Sequence, residues 1–172
     1  MTSVQLMRTR WLAPVVVLTV LAALTGCTPG LIGAAGLQRT GDHLAVVVVT
    51  CGDASLETLT LRDLGRVNEH SEYAVATDWT LERSNEGVAQ RDIGPASDLL
   101  GQVGGGQFML FGELGGLVPM AVLGPSFGRA DIDALPDGSI LSHSVINDAN
   151  VVLDNQRAFS ELVQTEYCTS AE

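Results

Sequence analysis

The chain has 172 residues and a formal net charge of −11, with 20 acidic side chains against nine cationic ones, all of them arginine. An acidic balance of that size repels phosphate backbones and excludes nucleic acid as a natural partner. Arginine without any lysine, together with abundant Gly, Ala, Val and Asp, is the usage that GC-rich codons impose, and it points to an actinobacterial genome rather than to a binding site.

The first 26 residues have the layout of a secretory signal peptide, with Arg8 and Arg10 ahead of an apolar run over residues 11–24. That run falls short of the roughly 20 residues a membrane-spanning helix needs. Thr28-Pro29-Gly30 would break any helix carried further. Leu24-Thr25-Gly26-Cys27 then resembles the bacterial lipobox: an aliphatic residue, a small residue, Gly or Ala, and Cys. The resemblance implies cleavage before Cys27, a diacylglycerol on its sulfur and a further acyl chain, such as palmitate, on its new amine. At about 0.8 kcal/mol per buried methylene, two or three chains anchor a protein far more firmly than one. The expected location is therefore the cell membrane, lipid-anchored on the extracytoplasmic face. Loss of residues 1–26 removes two arginines and no acid, so the mature charge moves to −13.

Residues 27–41 read as the lipidated cysteine and a small-residue tether, with a flexible span of about 20 Å. Residues 42–172 then form a single domain, since about 130 residues suffice for one core and not for two ordinary domains. With Cys27 taken by lipid, Cys51 and Cys168 remain in an oxidising compartment, where they are expected to form a disulfide. Closing a loop of that length stabilises by about 4–5 kcal/mol in the chain-entropy account. No Cys-x-x-Cys motif gives the pair a redox role.

Within the domain the periodicity is that of strands. His43 to Cys51 is a β-branched run suited to a well-buried strand, and Leu59 and Leu61 alternate with Thr58 and Thr60. Tyr73, Val75, Thr77, Trp79 and Leu81 share one parity, which predicts a half-buried strand with those residues inward. Residues 107–111, 117–123 and 139–141 follow as shorter strands, separated by Gly-rich or Pro-Asp-Gly turns. Residues 96–100 fit a helical turn after Pro95. Residues 157–167 fit either period, and the need for Cys168 to reach Cys51 favours an extended segment there. Strands at short, regular spacing predict an all-β fold, a β-sandwich. Val-Val-Thr-Cys51, the Trp79 strand, Asp92-Ile-Gly-Pro95 and the run Phe127 to Leu141 resemble the small immunoglobulin-like lipoproteins of actinobacteria. That likeness implies an immunoglobulin-like sandwich and carries no assigned activity.

Several constellations bear on chemistry. Gly124-Pro125-Ser126-Phe127-Gly128 matches the Gly-x-Ser-x-Gly nucleophile elbow, with Asp131, Asp133, Asp137 and then His143 in the order used by α/β hydrolases. An elbow needs a helix after the serine, and Pro136 and Gly138 argue against one. The acids from Asp131 to Asp137 have a calcium-loop flavour but lack the closing Glu, and a Pro-Asp-Gly turn explains them. His43, His70 and His143 each stand alone, without zinc-ligand spacing. Gly104-Gly105-Gly106 lacks the Lys-Ser/Thr of a phosphate loop. Trp79 reads as a core aromatic. Residues 104–127 carry Glu113 as their one charge, and are expected to be buried strands rather than an exposed apolar patch. No cofactor and no metal are implied. The expected role is that of a non-enzymatic binding or accessory module with an envelope protein partner; the alternative is an envelope serine hydrolase using Ser126 and His143.

Overall fold

Gly30–Thr40 is a strand, β1, in the interior of a sheet, and this overturns the expected tether. The structure, a computed structural model, describes residues 30–54, 56–67, 69, 72–81, 88–103, 106–114 and 120–168. The signal peptide, the lipobox with Cys27, and His70 lie outside them. β1 pairs antiparallel with β2 (His43–Thr50) through a two-residue turn at Gly41-Asp42. Its opposite edge is shared. The first half lies parallel to β7 (Met120–Phe127), and the second half antiparallel to β8 (Ile140–Ser144).

The small residues of β1 reflect crowding rather than flexibility. A Cβ on Gly36 would sit 2.5 Å from Ile140 Cγ2 and 3.5 Å from the Phe159 ring, and one on Gly33 would strike the Val49 carbonyl. Ala34, Ala35 and Leu37 are fully buried. A tract that composition reads as a linker is thus a strand squeezed between neighbours on its flank and on both faces.

The remaining strands are β3 (Thr58–Val67), β4 (Tyr73–Thr80), β5 (Val88–Pro95), β6 (Phe108–Leu114) and β9 (Ala149–Leu153). The fold is all-β, as expected. Pairing runs β4-β3-β6-β7-β1-β2-β5, with the β8–β9 hairpin joined through β1. The sheet curls on itself, so that Leu59 and Leu61 of β3, Phe108 and Leu110 of β6 and Val122 of β7 pack in one cluster with Leu37 of β1 and Leu44, Val46 and Val48 of β2. Three short helices complete the described chain: α1 (Ala96–Val103), α2 (Arg129–Ala134) and α3 (Gln156–Val163), the last running into a π turn at Gln164–Cys168.

The C-terminal segment corrects another expectation, because it is helical and not extended. Asn155 caps α3 by accepting a hydrogen bond from the Ala158 N–H at 3.0 Å. Phe159, Val163 and Tyr167, spaced by four, form a buried stripe against Ala34, Val47, Val49 and Ile140. The β1–β2 pair is therefore buried on both faces, by the main core on one and by the C-terminal layer on the other. Cys51, just past β2, is bonded to Cys168 at the end of the π turn, with Cα atoms 5.4 Å apart. The turn lets a helix deliver Cys168 where an extended chain was expected.

Candidate contact face

The outward side of the sheet is covered at one half and open at the other. The C-terminal layer extends from β2 across β1 as far as Leu123 of β7, which packs against it. At that border the Asn150 side-chain amide donates to the Ser126 carbonyl. Beyond it, on β6, β3 and β4, no described element lies over the sheet.

Register fixes what this open side presents. Leu59 and Leu61 point inward, so Thr60 and Arg62 point outward, level with Phe111 and Met109 of β6. On β4, Asp78 lies beside Thr60 and Val75 beside Arg62, with Ala76 as an extra residue between them. That bulge reverses the parity of the strand. Trp79 packs against the core as predicted, but Tyr73 and Val75 face solvent, at 43% and 57% exposure, where the alternation had placed them inside. Val67, paired with Tyr73, is exposed as well.

Arg62 is the polar centre of this face. Its guanidinium carbon lies 3.9 Å from the centroid of the Phe111 ring, a cation–π stack, while its buried Nε has no hydrogen-bond partner. Nothing in the residue pattern singles it out, since an isolated arginine in an alternating strand is ordinary. Half-buried Met109 and Phe111 lie beside it, so residues 106–114 are neither wholly core nor wholly exposed: Phe108 and Leu110 fill the interior and their neighbours floor the open face.

The residues singled out for chemistry have other placements. Ser126 lies inside β7 opposite Met109, not on a turn. A helix does follow, α2, contrary to the expectation from Pro136 and Gly138, because it ends at Ala134 before either is reached. His143 on β8 is the cross-strand neighbour of Asn150, and its Nε2 lies 3.6 Å from Asp148. No hydrogen bond joins Ser126 to His143 among the described residues.

Two of the acids in the Asp131 to Asp137 stretch hold the chain in shape. Asp131 accepts the Gly128 N–H at 2.8 Å and Asp137 the Gly41 N–H at 2.6 Å, while Arg39 donates to the carbonyls of Ile132 and Leu135 at the end of α2. His43 pairs with Asp92 at 3.1 Å on the surface. The Gly94 N–H, 2.7 Å away, and then His43 hold the Asp92 carboxyl below its ordinary value. Among the described residues no three His, Cys, Asp or Glu side chains converge as a metal site. Buried Ser144 and half-buried Glu166 fasten the 145–148 turn: Ser144 Oγ donates to Glu166 at 3.0 Å and accepts the Asn147 N–H at 3.2 Å.

No described helix is long and apolar enough to cross a membrane. No protein-family profile, curated protein or solved structure matches the chain.

Proposed function

We propose that the chain is a cell-envelope lipoprotein, anchored through Cys27 on the extracytoplasmic face of the membrane, whose β domain acts as a non-enzymatic binding or accessory module. The observation that carries the reading is the pairing of a lipobox with a sheet whose outer side, over β6, β3 and β4, no described element covers. The position of β1 sharpens it. Gly30 opens that strand, so only Thr28 and Pro29 separate it from Cys27. Three residues of extended chain reach about 10 Å. A lipid on Cys27 would hold the Gly30 and Met120 end of the sheet against the headgroups and leave the β1–β2 turn and α2 farthest from them.

We further propose an immunoglobulin-like topology. With β1 as strand A, β2 as B, β3 and β4 as C and C′, β5 as E, and β6 and β7 as F and G, the observed order follows the C′CFG and ABE pairings of that fold. Strand A bridges the two sheets by pairing with both B and G. The β8–β9 hairpin and α3 are an addition outside that plan.

Metabolic labelling with an alkyne fatty acid tests the anchor. Wild type should take the label, and a Cys27→Ala variant should lose both label and membrane retention; an unlabelled wild type would overturn the reading. The competing hydrolase reading rests on Ser126 and His143, linked through Asn150. A fluorophosphonate probe that reacts with wild type and not with Ser126→Ala would establish it against the binding module.

A further inference from the structure

We propose that the open face of β4, β3 and β6 is a self-association surface whose occupant is a second copy of this chain. The proposal names the partner of the binding module above and rests on that reading. Its first support is the state of Arg62. Among the described arginines, Arg39, Arg91 and Arg129 donate to backbone carbonyls, and Arg66 and Arg157 pair with Asp63 and Glu161. Arg62 instead lies over an aromatic ring with Nε buried and unbonded. A guanidinium held flat on a ring keeps its other donors directed across the face, and Arg and Tyr on an apolar floor are the side chains that dominate protein interfaces.

The second support is charge complementarity of the face with itself. Asp78, next to Thr60, and Glu113, two residues along β6 from Phe111, share the outward side with Arg62 and make no ion pair among the described residues. Arg62 is turned toward β6 and away from Asp78 on β4. In a two-fold pairing each surface meets its own copy, so a cation and an acid left apart on one surface are brought together twice. Arg62 and Asp78 are diagonal neighbours on adjacent strands, at Cα separations of about 7–8 Å. A two-fold axis that bisects the diagonal from Arg62 to Asp78, oblique to the strands, places Arg62 of one copy against Asp78 of the other. Tyr73, Val75, Met109 and Phe111 supply the apolar contact around the two pairs. An acidic chain gains little from meeting another anion in general. It gains here because Arg62, with no ion pair among the described residues, sits at the centre of the face.

The test uses the full chain in two tagged versions, co-expressed and extracted in mild detergent, with fatty-acid labelling read in parallel so that failed anchoring and failed pairing are separate results. Wild-type copies should co-purify. Arg62→Glu in both copies should weaken pairing about tenfold or more. Arg62→Glu mixed with Asp78→Arg should restore it, a result that simple unfolding of either variant cannot produce. Val152→Asp, on the β8–β9 hairpin outside the face, should leave pairing unchanged. Wild-type copies that never co-purify, pairing that survives Arg62→Glu, or failure of the charge-exchanged mixture to recover would each overturn the proposal.

Discussion

The outer side of the β1–β2 pair and the outer side of β3–β4 belong to one sheet and meet opposite fates. The first is closed by α3 and the β8–β9 hairpin and stapled by Cys51–Cys168. The second carries Tyr73, Val75 and Val67 into solvent. The contrast teaches that the C-terminal layer divides the sheet into a half that it covers and a half over which no described element lies, and it makes clear forecasts about which substitutions are felt where.

The largest effect is expected in the closed half. Phe159, fully buried between α3 and β1, should cost about 3–5 kcal/mol when cut to Ala. Val75→Ala on the open half should stay within about 0.5 kcal/mol. Urea denaturation of the two variants reads this directly, and similar losses would mean that the halves are not distinct. Removing the staple with Cys51→Ser and Cys168→Ser should cost about 2–5 kcal/mol. Hydrogen exchange in that variant should rise first in α3 and β8–β9; uniform loosening would contradict a separate C-terminal layer.

A smaller change comes from adding one methyl group. Gly36→Ala pushes a Cβ onto Ile140 and Phe159 and is expected to cost about 1–3 kcal/mol by overpacking. If residues 30–40 were a tether, the same change would be silent or mildly stabilising. The smallest effect is alkaline. Burial, with the neighbouring Glu166 charge, raises the Tyr167 phenol above its ordinary value of 10.0. The folded state therefore prefers the neutral phenol, so its contribution is complete below pH 10 and is lost as pH rises beyond it. Wild type should lose stability between pH 10 and about 12 more steeply than Tyr167→Phe; equal slopes would remove Tyr167 as the cause. The Phe variant also lacks the 2.7 Å hydrogen bond to the His143 carbonyl, so slopes rather than absolute values are compared.

Much of this division was legible in the sequence, for reasons that differ by residue. The Ala45 to Val49 run announced a strand buried on both faces, because each parity must be apolar when each face is covered. Cys51 and Cys168 announced their own pairing. Residues 30–37 misled because glycine and alanine serve flexibility and tight packing equally well, and contacts made only in the fold, with Val49 at Gly33 and with Ile140 and Phe159 at Gly36, decide between them. Residues 73–75 misled because a bulge is a property of two strands together: nothing in β4 alone marks Ala76 as the residue that turns Tyr73 and Val75 outward. The helical spacing of Phe159, Leu162 and Val163 was visible, yet Phe159, Val163 and Tyr167 also share a strand parity, and the disulfide weighed toward the wrong choice. As for the contact face, Arg62 and Phe111 are 49 residues apart, and their stacking follows only from the β3–β6 register.

The most direct test of the account places a photo-reactive side chain at Val75 or at Val152 in the full chain in its native membrane. The two valines are equally apolar and similarly exposed, at 57% and 53%, and differ in which half of the molecule carries them. The account predicts a cross-linked species of twice the chain mass from position 75 and none from position 152. Cross-linking of equal yield from both, or from position 152 alone, would contradict the assignment of the open half as the contact face.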